Sequence, residues 1–179
     1  KLSTKNSNIM TAQQAFNHLD PQKWAKTSAK ERLALLEQVQ NNLKEYAEEL
    51  GKVDAEMKNN LIGENITSVA EGMGTTVMPM AGTLMGIHHL YEALVKGEMP
   101  KALHTEKVDD NLYEIQVFPM YSKDKLAAAK QTGYIHVEGE PKQTNPMDKP
   151  PGVIAVSGAG NYSSSIEMAM ALFLENKAA

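Results

Sequence analysis

Gly152-Val153-Ile154-Ala155-Val156-Ser157-Gly158-Ala159-Gly160-Asn161-Tyr162-Ser163 is the stretch that decides the fold. Its first five residues are almost wholly apolar and rich in β-branched side chains, the pattern of a strand covered on both faces in a parallel sheet. A glycine-containing turn follows, and about Ser163 to Asn176 then reads as a helix. Strand, tight turn and helix in that order open a β-α unit. The turn approximates the dinucleotide fingerprint, with Ser163 in the place of the third glycine. In that setting glycines admit a pyrophosphate close to the backbone and a helix N-terminus faces it. The acidic residue expected about 20 positions further on would fall beyond Ala179, so a nucleotide-binding turn and a purely structural one fit these residues equally.

Upstream, Pro141, Pro146, Pro150 and Pro151 mark a rigid linker. Before it, Leu112 to Phe118 alternates apolar and polar residues as a half-buried strand does, and Tyr134 to Glu138 reads as a second strand. Lys123 to Lys130, between them, reads as a short helix or an extended insertion. The N-terminal part is helical. A short helix is predicted around Thr11 to Leu19, and Asp20-Pro21 suits a helix start. Ser28 and Glu31 form a capping box ahead of a helix whose stripe is Leu36, Val39, Leu43, Tyr46 and Leu50, with Gly51 where a terminating glycine would sit. A second helix covers about Val53 to Leu61 and ends at Gly63. A third, from about Asn65 to Lys96, carries Val69, Met73, Val77, Met80, Leu84, Ile87, Tyr91 and Leu94 at helical spacing, a stripe read as core packing. Gly72, Gly74, Pro79, Gly82 and Gly86 predict that it is kinked or broken. The expected class is α/β: N-terminal helices, an antiparallel hairpin and a first strand-helix unit, with the sheet incomplete in this chain.

Composition narrows the function. Of 179 residues, 42% are hydrophobic and 22% charged, as in ordinary globular proteins. Eighteen basic against 22 acidic residues give a net charge of -4, with no Lys/Arg block to grip nucleic acid or an anionic membrane. Apolar runs stop well short of the ~20 residues of a membrane span, and the first residues lack a signal-peptide core, so a cytoplasmic location is expected. The chain has no cysteine, which rules out a disulfide, a zinc-thiolate site or a thiol nucleophile within it. A first residue that is Lys and a helix running to the last residues suggest a fragment.

Other candidate chemistries are weak. His88 and His89 precede Glu92, but adjacent helical residues point about 100° apart, so one histidine at most should face an ion, and no third ligand is evident. His104 and His136 are isolated. Ser163-Ser164-Ser165 lacks the Gly-x-Ser-x-Gly elbow of a serine nucleophile, and helix capping accounts for it.

Pro151 to Asn161 resembles the segment of NAD(P)-dependent aldehyde dehydrogenases in which a Pro-x-Gly-Val-Val-type strand runs into a Pro-Trp-Asn turn. Trp24 followed by Ser28, Glu31-Arg32 and Leu35-Leu36 is similar to that family's early helix. Asp54-Ala55-Glu56-Met57-Lys58 sits where the family has an acidic second helix, and Tyr134 to Pro141 resembles the strand ending in Glu-Pro before the cofactor domain. The resemblance spans roughly residues 24 to 179 in the family's order. The chain departs from the pattern in reading Gly-Ala-Gly-Asn for the turn, in lacking the Pro after the aromatic position, and in extra length over residues 119 to 133, as a divergent branch would.

The resemblance implies that Asn161 is a catalytic residue whose amide holds the developing oxyanion, a contribution of about 2.7–4 kcal/mol for such donors. Otherwise Asn161 supports the turn, since asparagine tolerates left-handed backbone angles. It further implies that Ser157, Gly158, Ala159 and Gly160 line NAD or NADP near the nicotinamide ribose, which makes the apparent fingerprint coincidental. The family's nucleophilic Cys, general-base Glu, adenosine-ribose Lys and second glycine motif would lie downstream. The parent enzyme would oxidise an aldehyde to an acid or acyl thioester through a cysteine thiohemiacetal, and residues 1–179 alone would be inactive. Residues 1–110 become the helical part of the cofactor domain, 111–141 an oligomerisation hairpin for a dimer or tetramer, and 150–179 the first β-α unit of a Rossmann-like fold. The alternative is a complete noncatalytic helical binding or scaffold module, which would leave Gly152 to Val156 a lone strand.

Overall fold

The computed structural model describes residues 10–122, 124, 130–158 and 164–179, and shows a mixed α/β chain. The first helices begin where side chains take up otherwise free backbone N–H groups. Thr11 and Gln14 cap each other's backbone before α1 (Ala12–His18), and Asp20 accepts from the Lys23 N–H before α2 (Pro21–Ala25). Ser28 and Glu31 do the same before α3 (Ala29–Glu45). The Ser28 backbone and hydroxyl hydrogen bonds hold the Glu31 carboxyl below its ordinary range.

Gly51 does not end this helix. The break falls at Tyr46, and Gly51 lies buried inside α4 (Ala47–Ile62), which closes as expected on Gly63 at φ 82. Gly51 is needed for packing rather than for stopping. It meets Gly72 at the end of α5 (Val69–Gly72), where a Cβ on Gly72 would stand 2.2 Å from the Gly51 carbonyl oxygen. α5 then runs without a gap into a π-helical turn, Met73–Val77, and on into α6 (Met78–Val95). The distortion precedes Pro79, whose missing N–H and ring bulk disturb the helix one turn upstream. Gly82 and Gly86, by contrast, lie inside α6 and leave it unbroken.

The stripe over residues 69–94 forms much of the core. Val77, Leu84, Ile87 and Tyr91 are buried with Leu36 and Leu43 of α3, and Met73, Met80 and Leu94 pack against them. From the chain's end, Ala169 and Phe173 complete the cluster.

Three strands, β1 (Thr105–Asp109), β2 (Leu112–Phe118) and β3 (Gly133–Glu138), form an antiparallel sheet in that order. The expected hairpin is present, and β1 extends it back to Thr105 across a turn at Asp110-Asn111, in what the sequence assigned to the helical part. Of the predicted short helix or insertion at Lys123 to Lys130, residues 123 and 125–129 lie outside the described residues.

The last segment is a β-α-β unit. β4 (Gly152–Val153) leads to α7 (Ser165–Phe173) and then to β5 (Lys177–Ala178), which pairs with β4 in parallel. Two expectations are corrected here. The strand is shorter than Gly152 to Val156, and Val153 and Ala155 are exposed, because among the described residues β4 pairs with β5 alone and its outer face is left uncovered. The helix stops at Phe173 rather than Asn176, since Asn176 adopts φ 56 and turns the chain into β5.

One buried group ties the two ends together. Arg32, the only arginine in the chain, is fully buried. Its Nη2 donates to Asn176 Oδ1 (2.6 Å) and to the Trp24 carbonyl (2.9 Å), its Nε to Thr27 Oγ1 (2.8 Å) and its Nη1 to Tyr91 Oη (3.3 Å). The guanidinium also lies 4.4 Å from the Trp24 ring centroid. Tyr91 Oη in turn donates to the Phe173 carbonyl and Trp24 Nε1 to the Leu172 carbonyl. Burial raises the Tyr91 phenol above its ordinary value, with Arg32 pulling the other way. Among the described residues no helix is long and apolar enough to cross a membrane.

Candidate functional site

A largely apolar cleft of about 730 Å³ opens where α3, α4 and the π-helical turn meet the segment between β4 and α7. α3 contributes Val39, Asn42 and Leu43, and the junction contributes Tyr46. α4 contributes Leu50, Val53, Asp54 and Met57, which fall on one face at spacings of three and four. Thr76 and Met80 form another wall, and Gly158, Ser164 and Ser165 border it from the β-α side. The cleft explains why the α3 stripe is not uniformly buried. Leu36 and Leu43 are covered, whereas Tyr46 and Leu50 remain 49% and 38% exposed because they face this opening.

Its polar feature is Asp54, which is 5% exposed. Lys58 Nζ donates to Asp54 Oδ2 (2.6 Å) and lies 2.7 Å from Thr75 Oγ1, which is itself 3.2 Å from Asp54 Oδ2. The π-helical turn sets Thr75 and Thr76 side by side against α4, and Gly51 and Gly72 let the two segments approach closely enough for the contact. Burial pushes the Asp54 carboxyl up, but Lys58 and the Thr75 hydroxyl outweigh it and hold the group below its ordinary value of 3.8. Thr76 Oγ1 is buried with no hydrogen-bond partner. The site thus combines an apolar lining with one ionised, neutralised carboxylate and a hydroxyl whose capacity is unfilled. Pockets of this kind hold an apolar group and fix its orientation at few polar points.

Of the residues singled out for cofactor contact, Ser157 and Gly158 are exposed, and Gly158 lines the cleft. Ala159, Gly160 and Asn161 lie outside the described residues. The fingerprint would start its helix at Ser163. The helix instead starts at Ser165; of the serine run read as capping, Ser164 at the N-cap makes no side-chain capping bond, and Ser163 lies outside the described residues. Ser157 and Gly158 thus present an open surface. Asp54, Lys58 and Thr75 were not singled out as a site. Their signal was the i, i+4 Asp/Lys spacing on α4 facing a Thr-Thr pair inside a glycine-rich helix.

The histidines also differ from expectation. Both His88 and His89 turn toward Glu92, with Nδ1 atoms 3.6 and 3.0 Å from its Oε2, so the helical separation of adjacent residues is overcome by side-chain rotation. His136 meets Glu114 across the β2–β3 ladder at 3.0 Å, and His104 meets Glu106 at 3.2 Å.

Comparisons of the chain with protein-family models, with curated proteins and with solved structures gave no match.

Proposed function

We propose that this chain is the N-terminal part of a divergent NAD(P)-dependent aldehyde dehydrogenase and that its cleft receives the apolar portion of the aldehyde. The observation that carries the reading is the lining of the cleft by the residues on either side of 159–163. Gly158 and Ser164, which flank the segment containing Asn161, both border an apolar cavity. A substrate tail held there would direct its reacting carbon toward Gly158 and Ser164. The parallel pairing of β4 with β5 supports the same reading, because a strand-turn-helix-strand unit is the repeating element of a Rossmann-like domain. Ser157 and Gly158 would lie against NAD or NADP, which accepts the hydride when bound. The nucleophilic Cys and general-base Glu would come from sequence beyond Ala179, and the parent enzyme would assemble as a dimer or tetramer through the 111–141 hairpin.

Within this account the chain's own residues position and stabilise. The cleft walls exclude water from the substrate tail, Asp54 and Thr76 set the polarity of its floor, and the Asn161 amide donates to the oxygen on which charge develops. Replacing Asn161 by Ala in the protein expressed from its native gene is expected to lower kcat by about 10²–10³ with little change in cofactor affinity. Unchanged kcat would remove Asn161 from the mechanism.

The noncatalytic binding module is favoured by one observation. β5 gives β4 a partner, so the strand is not alone as that reading had implied, and the apolar cleft could serve ligand binding without chemistry.

A further inference from the structure

His88 makes no hydrogen bond to either acid beside it. Its Nδ1 is 3.6 Å from Glu92 Oε2 and its Nε2 is 3.7 Å from Glu37 Oε1, both beyond hydrogen-bond reach. His89 Nδ1 is 3.0 Å from the same Glu92 oxygen, while His89 Nε2 is buried with no partner. The His89 ring is held by stacking on Tyr121, with centroids 3.9 Å apart. A single carboxylate oxygen therefore has two imidazole nitrogens directed at it, on side chains 21% and 22% exposed. One donor atom from each of His88, His89 and Glu92 lies within 4.8 Å of the others.

We propose that His88, His89 and Glu92 bind a divalent transition-metal ion of the zinc, nickel and copper class. Around zinc, donors at about 2.0–2.1 Å in tetrahedral array stand roughly 3.3 Å apart. The two nitrogen–oxygen separations of 3.0 and 3.6 Å fall on either side of that value, so small side-chain rotations admit the ion. Two imidazoles and one carboxylate match the preference of these metals. Glu37 approaches His88 from the far side of its ring, where a carboxylate orients a metal-bound imidazole and raises its basicity. With three ligands from the protein, a further position is left for water or an added ligand. A recess of about 380 Å³ lined by His89, Glu92, Lys96 and Tyr121 gives it access to solvent. Lys96 is the opposing charge near Glu92, and its removal should tighten binding. The site is separate from the cleft and does not depend on the aldehyde dehydrogenase reading.

Calorimetric titration of the purified chain with Zn²⁺, repeated with Co²⁺ to read the absorption of a tetrahedral site, tests the proposal. One ion per chain is expected. His88→Ala and Glu92→Gln should each weaken binding at least about tenfold, Glu37→Gln should weaken it by about tenfold or less, and Lys96→Met should strengthen it. His104→Ala and His136→Ala should change nothing. Glu92 and Glu37 are 45% and 57% exposed, so their variants retain the fold, and circular dichroism checks this. Binding unaltered by Glu92→Gln and His88→Ala together, or abolished equally by His104→Ala, would overturn the site.

Discussion

Arg32 Nη2 donates to Asn176 Oδ1 across 2.6 Å, joining residues 144 positions apart and holding the left-handed residue that turns α7 into β5. Asn176 Nδ2 also donates to the Lys149 carbonyl at 2.6 Å, so one amide links α3, the segment before β4 and the start of β5. Arg32 has no carboxylate partner among the described residues. Its charge is met by carbonyl, hydroxyl and amide oxygens and by the Trp24 ring.

Arg32→Ala should cost about 3 kcal/mol or more in chemical denaturation, because it leaves several buried acceptors unpaired around a cavity. Arg32→Lys should be only a partial rescue, since an ammonium cannot reproduce the planar fork. At Asn176 the order of loss separates backbone from side chain. Asn176→Ala should be less stable than Asn176→Gly by about 1 kcal/mol, because both lose the hydrogen bonds and only Ala also strains the positive φ. Equal losses would mean that the backbone angle carries no weight.

The α4–α5 crossing gives a second prediction. Gly72→Ala would place a methyl 2.2 Å from the Gly51 carbonyl oxygen, so α4 must move. A loss of about 1–3 kcal/mol is expected in denaturant, together with a changed cleft, since Asp54 and Thr76 lie next to this contact. Gly82→Ala, with open space at its Cβ, should instead be neutral or slightly stabilising.

The Asp54–Lys58 pair gives a pH dependence. The folded Asp54 carboxyl titrates below 3.8, so its contribution is complete above that pH and is lost as the pH falls through the lower folded value. The stability difference between the wild type and Asp54→Asn should therefore be constant from pH 5 to 7 and shrink below about pH 4. A difference that grows on acidification would reverse the assigned sign.

Filling the cleft tests its use. With an aldehyde's tail in the cleft as proposed, Met57→Trp should raise KM for long-chain aldehydes far more than for two-carbon ones. Each methylene that loses its apolar cover is expected to cost about 0.8 kcal/mol, or about fourfold. Equal effects at all chain lengths would take the substrate tail out of this cleft.

What could be read from sequence was local. The capping boxes at Thr11, Ser28 and Ser68 use residues three apart, and the β2–β3 alternation is visible within each strand. Gly51 was misread because a glycine needed for close approach to Gly72 looks the same as one that ends a helix. β1 was missed because all five of its residues are exposed and Thr-Glu-Lys-Val-Asp has no apolar face. The end of α7 was overextended because Asn176 is set by a hydrogen bond from a residue 144 positions away. The cleft was not legible: a stripe containing Tyr46 and Leu50 looks the same whether it faces a core or an opening.

The most direct measurement is aldehyde-dependent reduction of NAD or NADP by the protein expressed from its native gene, with aliphatic and aromatic aldehydes of several lengths. The account predicts turnover with at least one aldehyde and one cofactor, and a fall in kcat of about 10²–10³ in Asn161→Ala. No reduction of either cofactor with any aldehyde by folded protein would contradict the dehydrogenase reading and leave the cleft as a binding site without chemistry.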